Sequence, residues 1–107
     1  MTSPSSSGAL EAVERILNRG GEPEDVLRQV VETLHTRTSA WVGIAFARGD
    51  DLELGPSAGA PAPLAAIQRH TIERQGQTVA ELWTSLDADH ALFARVAVIV
   101  SPYCTRV

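Results

Sequence analysis

The order of predicted elements constrains this 107-residue sequence more than any single motif. Two helical segments come first, two strand pairs follow, and a last helical segment closes the chain. The strand pairs are separated by residues 55–66, a connection rich in glycine, alanine and proline with no helical apolar stripe. This order predicts one α+β domain, in which N- and C-terminal helices pack on one face of a twisted antiparallel β-sheet.

The two N-terminal helices are predicted from apolar side chains that recur at helical spacing. We expect the first helix from Ala9 to Asn18, where a glycine pair ends it, and the second from Pro23 to Thr36. Residues 1–8 lack the basic start and apolar stretch of a signal peptide, so they are expected to form a disordered leader. The sequence therefore predicts a cytoplasmic protein whose single domain covers residues 9–107.

The strands are predicted from β-branched and aromatic residues bounded by turn residues. Ala40–Ala47 is apolar on both of its alternating faces, which is typical of a central strand. A return strand begins at Leu52, after a Gly-Asp-Asp turn. The second strand pair is expected over Ile67–Arg74 and, beyond a hairpin turn at Gln75-Gly76, up to Thr84.

The closing helix is predicted from the apolar stripe that runs from Leu92 to Tyr103. Either Ser85 or Asp87 can cap its N-terminus, and Asp89 complements the helix dipole in the first turn. Pro102 is unsuited to a helix interior, so the helix is expected to kink or end near it.

Charge and composition exclude several functions. All nine basic residues are arginine, and thirteen acidic residues give a net charge of −4, so there is no basic surface for nucleic acid. Without lysine the chain cannot use Schiff-base chemistry or a phosphate-loop lysine. The longest apolar run, Val96–Val100, is far too short to span a bilayer. With Cys104 alone, an intramolecular disulfide is impossible.

Three segments in succession resemble a small GAF domain: Val26–Leu34 leading into the first strand, the strand pair Thr71–Trp83, and the helix ending at Ser101–Tyr103. Ala80 stands at a small-residue position that is often glycine in that family, and the resemblance covers Leu10 to Tyr103. It implies helices on one side of the sheet and ligands on the other. It also implies a stand-alone sensory or regulatory module without catalytic activity, which binds a small molecule or a protein partner.

The resemblance leaves other functions open. Ligand-binding relatives carry helices in the connection between the strand pairs, whereas this connection has only about twelve residues. The chain also lacks the lysine of cyclic-nucleotide-binding members, and Cys104 lies far from the position at which bilin-binding members attach their chromophore. An alternative is a structural homodimerisation or protein-interaction module without a ligand pocket. A distant third is a redox enzyme of the free methionine sulfoxide reductase type, whose central cysteines are absent here.

Five residues are candidates for contact with a ligand or partner. If Val42, Ile44 and Phe46 face the helices, alternation places Trp41 on the opposite side of the sheet. Trp83 lies on a strand that could neighbour it, and both indoles could instead be core residues. Arginines on the third strand could bind an anionic ligand, although pairing with nearby glutamates explains them equally well. The candidate binding residues are Trp41, Gly43, Arg69, Arg74 and Trp83.

The remaining titratable residues favour structural roles. Cys104 could be a redox thiol or an intermolecular disulfide partner, or a half-buried small residue. His35, His70 and His90 have no helical ligand spacing, so neither a metal site nor a cofactor is predicted, and no motif frames a catalytic serine.

The terminal helices suggest association with a second copy. In relatives of the GAF family such helices commonly pack against their counterparts. We therefore expect a homodimer through Leu10–Leu17 and Leu92–Tyr103, which would cover apolar residues that a small monomer leaves exposed.

Overall fold

The computed structural model describes residues 4–60, 66–86 and 88–104. These residues form four helices and four strands. The helices are α1 (Pro4–Arg19), α2 (Pro23–Thr38), α3 (His90–Ile99) and α4 (Ser101–Cys104). The strands are β1 (Val42–Arg48), β2 (Asp51–Ala58), β3 (Ile67–Arg74) and β4 (Gln77–Ser85). The strand order is β2-β1-β4-β3 with every neighbouring pair antiparallel, which confirms the predicted α+β fold with an antiparallel sheet.

Both N-terminal helices are longer than predicted. α1 begins at Pro4 instead of Ala9, because proline is tolerated in a first turn, where its missing N–H would have no intrahelical acceptor. Residues 1–3 of the predicted leader lie outside the described residues. α2 begins at the predicted Pro23 and continues beyond Thr36 until Ser39 adopts a left-handed conformation with φ 63°.

The strand β2 includes part of the segment that we expected to be a connection. It continues to Ala58 and contains Pro56. The pairing register shifts between Gly43 and Ala45 of β1, so β2 carries an additional residue at this point. A bulge on an edge strand accommodates proline, since the missing N–H removes no essential ladder bond. In the connection that remains, residues 61–65 lie outside the described residues.

The second hairpin agrees with the prediction. β3 has the predicted bounds, and its turn residues Gln75 and Gly76 have φ values of 55° and 80°. Two successive positive φ values are what a two-residue turn needs to match the right-handed twist of its strands.

The start of the closing helix corrects the sequence prediction. Its N-cap is Asp89, whose carboxylate accepts a hydrogen bond from the Leu92 N–H at 3.2 Å. Ser85 instead ends β4, and Asp87 lies outside the described residues. The predicted break near Pro102 is present, because α3 ends at Ile99 and the short α4 follows.

Two apolar clusters divide the interior. The larger cluster combines helix residues with one alternating set of strand residues, and burying each large side chain in it contributes about 1.5–3 kcal/mol. Its strand members are Val42, Ile44, Phe46, Ile72, Ala80 and Leu82, and its helix members include Val13, Val26, Leu27, Val30, Val31, Leu34, Phe93 and Val96. The smaller cluster contains Trp41, Ala45, Ile67 and Trp83, with Leu52 at its margin. Alternation along the strands separates the two clusters.

Candidate functional site

The smaller cluster and its neighbours form one surface, which we call the tryptophan face. Its members are Trp41, Gly43, Ala45, Leu52, Ile67, Arg69, Glu81 and Trp83. The strand register pairs Gly43 with Trp83, Trp83 with Arg69, and Ala45 with Glu81. Directly opposed residues of antiparallel strands project to the same side, with Cβ atoms about 4.5–5.5 Å apart. The pairing therefore makes these side chains neighbours.

A polar network fixes the orientation of Trp83. Its indole N–H donates to Glu81 Oε1 at 2.8 Å, and Arg69 Nε lies 2.9 Å from the same oxygen. The Arg69 guanidinium carbon lies 5.0 Å from the Trp83 ring centroid. Because the Arg69 side chain is 53% exposed, its ion pair contributes only about 0–1 kcal/mol. The network leaves the Trp83 donor satisfied and pairs the Arg69 charge with a carboxylate.

Trp41 is in a different situation from Trp83. It is 5% exposed, and its Nε1 has no hydrogen-bond partner among the described residues. Its backbone is held by Ser85: the Trp41 N–H donates to Ser85 Oγ at 2.8 Å, and the Trp41 carbonyl accepts from the Ser85 N–H at 3.2 Å. A buried N–H without an acceptor costs about 1–3 kcal/mol. The tryptophan face thus contains one hydrogen-bond donor without an acceptor in the described part of the chain, the indole N–H of Trp41, on a residue whose backbone is held in place.

Gly43 provides the space beside the Trp41 ring. A Cβ atom at this position would lie 3.2 Å from Trp41 Cζ2 and 3.1 Å from Leu54 Cδ1. Cζ2 and Nε1 are bonded to the same ring carbon, so the N–H edge of the indole lies near Gly43. The absence of a side chain here lets the ring approach β1.

Five residues were predicted from the sequence to contact a ligand or partner. The structure brings four of them together: Trp41, Gly43, Arg69 and Trp83. Arg74 is not among them, because strand alternation places it on the opposite side of β3 from Arg69. The sequence left open a pairing of these arginines with nearby glutamates, and Arg69 does pair with Glu81; the bond from the Trp83 indole to Glu81 was not predicted. The position of Glu81 two residues before Trp83 on a strand was the available signal, since such residues share a face.

Three open grooves occur elsewhere on the described surface, with volumes of about 370, 380 and 360 Å³. The first lies between α1 and α2, where Arg15 and Glu32 are among its lining residues. The other two lie near the start of α2, one beside Tyr103 and one beside Pro56 of β2. No member of the tryptophan face lines any of the three. Leu54, which lies opposite Ala45 and beside Gly43, lines the third groove, so that groove adjoins the tryptophan face.

Two of the three histidines come together, although not as a metal site. The ring centroids of His70 and His90 lie 5.0 Å apart, and His70 stacks on Phe93 at 6.3 Å. Burial lowers the pKa of His70, and the charge of His90 lowers it further. His35 is elsewhere, with Nδ1 2.8 Å from the Ala40 carbonyl oxygen. Within residues 4–60, 66–86 and 88–104, no three His, Cys, Asp or Glu side chains are grouped to hold a metal ion.

Cys104 is more deeply buried than the half-buried position we expected. The residue is 1% exposed, and burial raises the pKa of its thiol to about 12. The thiolate is the reactive form of cysteine, so this environment disfavours nucleophilic and redox chemistry near neutral pH.

Comparisons with family models, with curated proteins and with solved structures gave no match to this chain. Among the described helices, none is long and apolar enough to cross a lipid bilayer. The resemblance to GAF domains therefore rests on the order of elements alone.

Proposed function

We propose that this protein is a non-catalytic, GAF-like sensory or regulatory module that binds a small molecule or a protein partner on its tryptophan face. One observation carries the proposal: the indole N–H of Trp41 is buried in apolar surroundings and has no acceptor among the described residues. A carbonyl or carboxylate oxygen of a ligand would accept a hydrogen bond from this N–H. Removing a penalty of about 1–3 kcal/mol strengthens binding by about 5- to 150-fold.

The arrangement of the sheet supports this assignment. The strand residues that share a cluster with the helices alternate with those of the tryptophan face, as in a fold that keeps its helices on one side and its ligand on the other. The step from this arrangement to a sensory role is an analogy with the GAF family. The chemistry of the face adds an apolar floor, one buried donor without an acceptor in the described ranges, and a second indole whose N–H already donates to Glu81.

A thermal-shift screen of metabolites and nucleotides tests the small-molecule form of the proposal, because a ligand that binds the folded state raises the melting temperature. The stabilising compound is then compared on two variants. Trp41→Phe keeps an aromatic ring and removes the unpaired N–H, whereas Trp83→Phe removes an N–H that already donates to Glu81. We expect the stabilisation to be largely lost in the first variant and retained in the second. Failure of every compound, or equal losses in both variants, would contradict the small-molecule form.

A structural homodimerisation module is the second candidate. Val98 on α3 favours it, because this large apolar side chain is 66% exposed. On α1, by contrast, Val13 and Ile16 are 0% and 7% exposed, so part of the predicted helical contact surface is already buried within the chain. Sedimentation over a range of concentrations tests this candidate. It predicts a dimer whose dissociation constant is unaffected by any compound, and a monomer throughout would exclude it.

A further inference from the structure

The strand β3 lies at one edge of the sheet, and none of the other described strands pairs with its outer side. Such an edge presents backbone N–H and C=O groups that can pair with another strand. The opposite edge, β2, is interrupted by Pro56 and by its bulge. β3 contains neither proline nor glycine, and its register shift opposite β4 arises from an additional β4 residue, Val79. Of the two edges, β3 is therefore the regular one.

We propose that β3 pairs antiparallel with β3 of a second copy, around a two-fold axis at Thr71, so that the two sheets become continuous. In this register residue 69 of one copy lies opposite residue 73 of the other. Arg69 of each chain then faces Glu73 of its partner, and the two contacts are equivalent by symmetry. The strand is thus complementary in charge to itself.

The three side chains that make this contact are available. Arg69, Thr71 and Glu73 are exposed and alternate onto one side of the strand. The Arg69 guanidinium lies over Trp83 of β4 and uses Nε toward Glu81, so its two terminal nitrogens are the groups that would turn toward a carboxylate beyond the edge. Glu73 makes no ion pair with a described residue. Opposite charges across antiparallel strands contribute about 0.2–1 kcal/mol per pair.

Neighbouring registers do not give this match. With the axis at His70, Arg69 would face Thr71 and Ile67 would face Glu73. With the axis at Ile72, Glu73 would face Thr71. On the other side of the strand, the axis at Thr71 sets Gln68 opposite residue 74 and His70 opposite residue 72, so no like charges meet. The charge pattern therefore favours one register of the strand pair. Because the strand is complementary to itself in this register, the partner that fits the edge is a second copy of this chain.

Charge reversal of the full chain tests the proposal by sedimentation velocity. Glu73→Arg and Arg69→Glu each place like charges across the axis, so each variant alone is expected to dimerise at least ten-fold more weakly than the native chain. An equimolar mixture of the two restores both opposite-charge contacts in a heterodimer, and the double variant restores them in a homodimer. A native chain that stays monomeric, or single variants that dimerise as tightly as the native chain, would overturn the proposal. So would a mixture of folded variants that remains monomeric.

A second experiment does not depend on those charge reversals. In Thr71→Cys the new thiols face each other across the axis, and mild oxidation should produce a cross-linked dimer at low protein concentration. Ser57→Cys on the exposed β2 edge is the matched control, and Cys104 is buried in both variants. Cross-linking of Thr71→Cys alone supports the proposal. Equal cross-linking of both variants, or none in either, contradicts it.

Discussion

The guanidinium of Arg69 lies over the Trp83 ring, with its central carbon 5.0 Å from the ring centroid. The same arginine pairs with the Glu81 oxygen that accepts the Trp83 indole N–H. The neighbouring indole of Trp41 has no acceptor among the described residues. The two tryptophans of one face therefore differ in a way that matters for binding, because only one of them offers an unused donor.

Replacing Arg69 with glutamine should lower the free energy of unfolding by about 0.5–1 kcal/mol, because a cation–π contact of this exposure has about that strength. Urea denaturation followed by tryptophan fluorescence measures the change. Arg48→Gln is the matched control, since Arg48 pairs with Glu53 at 3.3 Å and both side chains are at least half exposed. Equal effects of the two substitutions would show that the Trp83 contact adds nothing.

Stability should decrease on mild acidification because of His70. Its folded-state pKa is lowered from 6.5, so between the two pKa values the unfolded chain binds more protons than the folded chain. The contribution of neutral His70 is complete above about pH 6.5 and is lost as the pH falls toward the folded-state pKa. Urea titrations between pH 5 and 8 measure this slope.

Two variants separate the causes of that pH dependence. His70→Phe keeps a ring beside Phe93 and should remove the largest part of the slope, whereas His90→Gln should remove only the smaller electrostatic part. A slope that survives in His70→Phe would assign the acid sensitivity to other groups.

The Cys104 thiol should resist modification in the folded protein. With its pKa raised to about 12 and with 1% exposure, it should react with an aromatic disulfide reagent at pH 8 far more slowly than the exposed thiol of a Ser57→Cys variant. Addition of denaturant should make all thiols react at similar rates. Rapid labelling of native Cys104 would show that the C-terminal segment opens readily.

Gly59→Ala should destabilise the fold by about 1–3 kcal/mol, because alanine is strained at positive φ and its Cβ would clash. Gly59 has φ +97°, and a Cβ there would lie 2.8 Å from the His35 ring. Gly49→Ala is the control, since Gly49 has φ +62° with open space around it. Chemical denaturation should show the larger loss for Gly59→Ala. A larger loss for Gly49→Ala would contradict the close approach to His35.

Some features of the fold could be predicted from neighbouring residues in the sequence, and others could not. The hairpin at Gln75-Gly76 could be predicted because its turn residues determine the backbone by themselves. The N-cap of α3 was predicted wrongly as Ser85 or Asp87, because both of these residues are as competent to cap a helix as Asp89, the observed N-cap. The choice depends on a distant contact, in which Ser85 Oγ accepts the Trp41 N–H. A tertiary hydrogen bond that no local signal shows therefore holds Ser85 in β4.

The candidate site was predictable to the extent that alternation determines it. Alternation placed Trp41 opposite the helix-facing residues, and the same rule would have separated Arg69 from Arg74, which are five positions apart on one strand. The bond between Glu81 and Trp83, and the missing acceptor of Trp41, depend on side-chain geometry that no spacing rule supplies.

The most direct test of the binding proposal uses the two indole N–H signals in a ¹H–¹⁵N spectrum, assigned with Trp41→Phe and Trp83→Phe. The protein is titrated with the compound that stabilises it most in the thermal screen. We predict that the Trp41 signal moves downfield as its N–H gains an acceptor, while the Trp83 signal keeps its position beside Glu81. A compound that binds with saturation and leaves the Trp41 signal unchanged would contradict the assignment of the tryptophan face as the binding site.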